Sequence, residues 1–208
     1  MLSQHDQLLS EEHEDVLTEL INIGIGRAAY TLSEMVDSRV GLQVPTVSFA
    51  QCEGIEKLQR HASSEDPLSV VLQPFSGGVA GRAVLVIPRP SASRLVGVLT
   101  GMPSESAEID VEREAVLTEV GNIIINSVLG SLGNMASLNL DFGLPRYDES
   151  HPPPLVSVAL RGSLVVVSVL FQIQSHAIEG ELAVMFDLPS LGGVWALLDP
   201  AAPRLLPA

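Results

Sequence analysis

Apolar residues between positions 11 and 37 return every three or four places, at Leu17, Leu20, Ile21, Gly24, Ala28, Leu32 and Met35. That is the period of one helical face. At ~100° per residue from Asp15, these positions fall in an arc of about 140–260° and predict a helix with a buried stripe. Ser10 is suited to cap it, and Glu11 and Glu12 put carboxylates in the first turn, where the helix dipole favours them. A second run of the same period covers 110–137, with Asp110 as cap and Glu112 behind it. Its stripe is Leu117, Val120, Gly121, Ile124, Val128, Leu132 and Met135.

After each helix the pattern changes to β-rich runs: 43–50, 68–75 and 79–88, then 155–161, 163–174 and 177–187. Ser76-Gly77-Gly78 and Gln174-Ser175-His176 read as hairpin turns. Short helices near 90–100 and 189–198 close each set, opening on Pro90 and Pro189. The polar stretch 51–67 predicts a loop, and His151-Pro152-Pro153-Pro154 is extended by proline geometry. Helix, strands, helix, met twice, predicts an α/β (α+β) fold with hairpin-linked, largely antiparallel strands.

The two patterns are copies at the level of residues. Residues 9–45 set against 109–145 without gaps give twelve identities in 37 pairs, among them Glu19/Glu119, Asn22/Asn122 and Pro45/Pro145. Ordinary composition would give about two or three. The likeness resumes where 81–99 runs beside 180–198. We read one domain over 1–208 made of two repeats, 1–102 and 103–208, joined near Gly101-Met102-Pro103-Ser104.

Composition narrows the function classes. The 208 residues are 46% hydrophobic and 17% charged, enough apolar material for a core. Eleven basic against 25 acidic residues leave a net charge of −14, which argues against nucleic acid or an anionic membrane as partner. The longest apolar run, 164–173, is about half of a bilayer span, so no membrane insertion is expected. No basic, apolar leader opens the chain, and a cytoplasmic location is expected. Cys52 is the single cysteine, and His5, His13, His61, His151 and His176 are scattered, so no metal or cofactor of the chain's own is expected. Gly24-x-Gly26 lies inside a helix pattern and is no nucleotide loop.

The candidate chemistry lies opposite the apolar stripe. Asp15, Glu19, Asn22 and Gly26 share an arc of roughly 60° on the first helix. Glu119 and Asn122 share the matching arc on the second, with Ala115 in place of Asp15 and Asn126 in place of Gly26. A polar helix face is ordinarily only a solvated one. The pair Glu-x-x-Asn, however, recurs on the same face while most neighbouring surface positions differ. Gly24, on the stripe itself, predicts close helix packing.

The residues fit a known signature: Asp or Ser, three residues, Glu, two residues, Asn, twenty-two residues, Pro. Asp15-x3-Glu19-x2-Asn22-x22-Pro45 meets every spacing, and Glu119-x2-Asn122-x22-Pro145 meets it again apart from Ala115. The run 22–29 also looks like the signature's first helix. In these features the chain resembles the CheC/CheX/FliY family of bacterial chemotaxis phosphatases, over nearly its whole length.

The resemblance implies a CheC-like fold and hydrolysis of the aspartyl phosphate on a CheY-like receiver domain. It implies that Glu19 pairs with the receiver's active-site lysine and that Asn22 enters that site and orients the attacking water. Glu119 and Asn122 would act likewise at a second site. Asp15 and Pro45 would support the first site and Pro145 the second. An acyl phosphate is already activated, so a positioned water is what a helper can add. A carboxamide can donate to or accept from that water, and a carboxylate supplies a charge-assisted bond to lysine. Magnesium is expected in the receiver. Ala115 and Asn126 make the first site the expected better one. The competing reading is an adaptor, non-catalytic or weakly catalytic, that binds a CheD-like receptor deamidase.

Overall fold

The computed structural model describes residues 11–43, 45–50, 67–101, 111–150, 164–187 and 190–192. Among the described residues, the helices with both ends placed are α1 (Glu11–Val36), α2 (Arg89–Thr100) and α3 (Val111–Met135). Among the described residues, eight strands are β1 (Gly41–Leu42), β2 (Thr46–Ala50), β3 (Leu68–Gly77), β4 (Gly81–Pro88), β5 (Leu140–Phe142), β6 (Arg146–Ser150), β7 (Leu164–Ile173) and β8 (Ile178–Asp187). One turn of 3-10 helix, Gln174–His176, joins β7 to β8. The two long helices start and stop within two residues of the periodicity. The caps assigned to Ser10 and Asp110, the strand expected at 155–161, the loop over 51–66 and most of the helix at 189–198 lie outside the described residues.

All pairings are antiparallel in one sheet. β4 and β8 lie side by side at its centre, β3 and β7 flank them, and the outer lanes are the short strands. β1 and β2 run along β7, while β5 and β6 run along β3. The order reads the same from either edge once 1–4 are exchanged for 5–8. The hairpins β3–β4 and β7–β8 are local, yet each takes its outer strand from the far part of the chain. Val47 sits opposite Val167, and Tyr147 opposite Val71.

The strands alternate cleanly. Val71, Phe75, Leu85, Val167, Val169 and Leu182 face the helices and join their apolar stripes in the main core. Leu68, Val70, Leu72, Val84, Val86, Val166, Ala183 and Met185 form a second buried cluster on the opposite face. Burial on both faces explains why these strands read as almost unbroken apolar runs. β5 and β6 escaped the sequence reading because Asp141, Arg146, Asp148 and Glu149 carry no apolar alternation; an outer lane has only one neighbour to match.

α1 buries Leu17, Ile21, Ile25, Ala28, Leu32 and Val36, while Leu20 and Met35 are only half-buried. α3 is buried over a wider arc that adds Ile125, Leu129, Ser131 and Arg113, since it meets α1, α2 and the sheet together. α3 is apolar and long enough to cross a membrane, but half of that stretch is buried inside the protein, as suits a core helix. Both long helices end the same way. Asp37 and Ser137 adopt the left-handed conformation, and the N–H of Ser38 and of Leu138 reaches back to the carbonyl of Ser33 and of Gly133.

Two glycines on α1 have opposite duties. A Cβ on Gly24 would stand 2.8 Å from the carbonyl oxygen of Val128, so its absence lets α1 and α3 touch backbone to backbone. A Cβ on Gly26 would meet nothing within 4 Å outside its own helix backbone. Gly24→Ala should therefore destabilise the fold by about 1–3 kcal/mol through forced separation of the helices. Gly26→Ala should stabilise it by about 1 kcal/mol through helix propensity alone. Urea unfolding of the two variants beside wild type measures both signs.

Tyr147 on β6 shares a hydrogen bond of 3.0 Å with Ser69 on β3. Nearby Glu149 pairs with Arg89 at the start of α2 at 2.8 Å. Burial, opposed by the Ser69 bond and reinforced by Glu149 and Glu114, pushes the Tyr147 hydroxyl up from 10.0 to about 12. The folded state thus keeps a proton that the unfolded chain loses, so this contribution to stability is full below pH 10.0 and is lost as pH climbs towards about 12. Tyr147→Phe should lose less stability than wild type between pH 9 and about 11, read as the difference in urea midpoints.

Candidate functional site

The core fixes which side of each long helix is left for chemistry. With Leu17, Ile21, Gly24 and Ala28 turned inward, Asp15, Glu19, Asn22 and Gly26 lie on the exposed side of α1, along with Ile23 at 39% exposure. Three or four residues apart, Glu19 and Asn22 sit one turn from each other with the open step of Gly26 beyond. Among the described residues, no side chain bonds to Asp15, Glu19 or Asn22. The carboxylate and the carboxamide therefore keep their full hydrogen-bonding capacity for a partner.

On α3 the same face carries Ala115 and Glu119, both exposed, and Asn122, which is half-buried. Asn122 is not alone. Asn126, one turn on, donates from Nδ2 to Asn122 Oδ1 at 2.8 Å. Gln73, reaching up from β3, donates from Nε2 to Asn126 Oδ1 at 3.1 Å and to the backbone carbonyl of Gly143 at 3.1 Å. Gln73 is 1% exposed, and its Oε1 is buried with no hydrogen-bond partner among the described residues. Gln73 and Gly143 stand outside the spacing motif and were not picked out by it. The signal for Gln73 was present as the one long polar side chain inside the apolar run of β3.

The motif prolines occupy corresponding places. Pro45, buried, lies between β1 and β2, and Pro145, half-buried, between β5 and β6. Both fall where the outer lane breaks step: β1 ends opposite Phe171 and β2 resumes opposite Ser168, just as β5 ends at the Phe75–Phe142 pair and β6 resumes at Leu72–Arg146. Proline has no N–H to give to a ladder, so it is at home in such a break. Each break is pinned by one backbone bond, Gln43 N–H to the Leu170 carbonyl and Gly143 N–H to the Pro74 carbonyl. In the second copy the break is what aims the Gly143 carbonyl at Gln73.

No three His, Cys, Asp or Glu residues among those described cluster so as to hold a metal ion. Cys52, His5, His61 and His151 lie outside the described residues. A small apolar hollow under α1, lined by Ile25, Ala28, Leu32, Val40, Val169 and Phe171, presents only hydrocarbon to a ligand and is separate from the motif face.

No family model matches the chain. It is 26% identical over 185 residues to the CheY-P phosphatase CheC of Bacillus subtilis, covering 86% of this chain and 82% of that one. It is 23% identical over 143 residues to the flagellar motor switch phosphatase FliY of the same organism, covering 67% of this chain but only 36% of FliY. Among solved structures, Thermotoga maritima FliY superposes with a TM-score of 0.70 at 20% identity, over 91% of this chain and 96% of that one. A chain of the CheX–CheY–BeF3–Mg2+ complex from Borrelia burgdorferi matches with a TM-score of 0.56 at 18% identity, over 80% and 97%. The chain is thus similar in sequence to CheC and FliY, and it shares the mixed helix and antiparallel-sheet fold of the solved structures.

Proposed function

We propose that this protein is a phosphatase that hydrolyses the aspartyl phosphate of a CheY-like receiver domain, ending or adapting a chemotaxis signal in the cytoplasm. The observation that carries the reading is the exposed pair Glu19 and Asn22 on the outward side of α1, matched by Glu119 and Asn122 on α3. The name of the CheC relative and the presence of CheY in the complex holding a similar chain support the same partner. We take 1–208 as a single unit of two repeats, 1–102 and 103–208. The exchange of outer strands supports this, because neither part could complete its own hairpin alone.

In this reading Glu19 docks on the receiver's lysine through a charge-assisted bond and so sets the approach. Asn22 then enters the phosphorylated site. Its Oδ1 accepts a hydrogen bond from the attacking water while its Nδ2 donates to a phosphoryl oxygen, and the water, whose protons leave on the inorganic phosphate, is held in line with the scissile bond. The water oxygen forms the new bond to phosphorus, the bond from phosphorus to the aspartyl oxygen breaks, and carboxylate and inorganic phosphate leave. Magnesium belongs to the receiver. Asp15 and Pro45 hold the first site and Pro145 the second. Asparagine does not titrate, so it neither supplies nor stores the proton; the gain is orientation.

The test is the decay of a phosphorylated receiver with and without the protein. Wild type should accelerate it, Asn22→Ala should lose most of the effect, Asn122→Ala less of it, and the double substitution all of it. Substantial turnover by the double variant would reject the site. No acceleration with any receiver from the same organism would favour the adaptor, and binding to a CheD-like deamidase would then be measured.

A net charge of −14 gives no long-range attraction to an acidic receiver. Affinity should rest on the local Glu-to-lysine bond and on apolar groups such as Ile23. Raising salt from about 0.05 to 0.3 M should change the dissociation constant less than about threefold, in titrations against a receiver carrying beryllium fluoride; a steep loss would mean a steered pair.

A further inference from the structure

The second motif copy is wired differently from the first, and the wiring has a direction. A backbone carbonyl can only accept, so the atom of Gln73 at 3.1 Å from the Gly143 oxygen must be the amide nitrogen. The same nitrogen meets Asn126, which must therefore present its oxygen. Asn126 then has its nitrogen towards Asn122, which must accept through Oδ1 at 2.8 Å. One fixed carbonyl thus sets the orientation of three carboxamides in series, and Asn122 is left with its nitrogen turned away from Asn126. The polar end of Gln73 is buried at the cost of an unpartnered Oε1, which a merely space-filling residue would not incur.

Among the described residues, nothing comparable stands behind Asn22. Gly26 takes the place of Asn126, and a Cβ there would meet nothing within 4 Å outside its own helix backbone. The pairings of Phe75 with Gly81 and Phe171 with Gly180 align Gln73 with Val169, which has no hydrogen-bonding side chain. Asn22 is free to turn either end of its carboxamide to a partner.

We infer that Gln73, Asn126 and the Gly143 carbonyl form a polarised relay that makes the second site a holding site: it grips a phosphorylated receiver through the Asn122 N–H but hydrolyses it slowly. The inference rests on the phosphatase reading for its substrate. It follows from what the water needs. Orienting an attacking water calls for an acceptor, and the Asn122 oxygen is already drawn along its own helix to Asn126. The outward nitrogen suits phosphoryl oxygens, which only accept. Gln73 and Asn126 are positioning residues, acting through Asn122.

The experiment uses the full chain with the first site disabled by Asn22→Ala. In that background Asn126→Ala, and separately Gln73→Val, should raise turnover of a phosphorylated receiver about fivefold, the effect of releasing one hydrogen bond. Binding of a receiver carrying beryllium fluoride should weaken by a similar factor. A purely structural role would lower turnover in both variants. Unchanged or reduced turnover in well-folded Asn126→Ala would overturn the inference while wild type still accelerates decay. If wild type shows no acceleration, the phosphatase reading is what has failed. The relay is then judged by side-chain amide resonances: Gln73→Val should shift those of Asn122 as well as Asn126, and an unmoved Asn122 would overturn it.

Discussion

The constraint on which the rest of the structure depends is the exchange of outer strands. β2 lies on β7 and β6 lies on β3, so each long hairpin is finished by a segment from the opposite part of the chain. Sheet edges are exposed rows of unpaired backbone groups, and exchange satisfies two of them at once. It also commits the helices. α1 runs into β1 and β2 through a short turn after Val36, and α3 into β5 and β6 after Met135. Once the outer strands are fixed on a shared sheet, the helices that precede them must lie on it too. They cross at Gly24 and Val128, where only the missing Cβ allows contact.

From that arrangement the exposed motif face follows with little freedom. Leu17, Ile21, Ala28 and Leu32 are held inward, and a helix cannot turn one face in without turning the opposite face out. Glu19 and Asn22 are therefore displayed by the core. The twenty-two residues to the motif proline gain a physical meaning as well. They span the rest of the helix, its left-handed cap at Asp37 or Ser137, and the return along the sheet to the break that proline tolerates. The spacing is a path length, and it is the same in both copies because the path is the same.

Much of this was readable beforehand, for identifiable reasons. Helix limits and the long strands came from apolar periodicity, which is strong where burial is strong. Gly24 and Gly26 were separable by angle alone. β5 and β6 were missed because polar outer strands leave no periodic trace, and β1 fell outside the run expected over 43–50 because Gly41 and Leu42 are too few to show alternation. The burial of Ile25 and Leu129 was missed for another reason: a stripe drawn for one contact surface is too narrow for helices that touch several neighbours. Gln73 could be seen as odd but could not be tied to Asn126, since their proximity, 53 positions apart in sequence, exists only through the sheet.

That last contact bears on how a repeated site can diverge. Asn22 and Asn122 are identical residues on matched helices, and a motif cannot tell them apart. What differs is underneath, where Gly26 and Val169 leave the first carboxamide loose and Asn126 and Gln73 tie the second. Orientation of a carboxamide exchanges a donor for an acceptor at the same position, which is a change of chemistry without a change of residue. Glu119 stays exposed in the second copy as Glu19 does in the first, so the two faces differ in the carboxamide and not in the carboxylate. Two copies of one motif on one frame are thus made different by residues that lie beneath the exposed face.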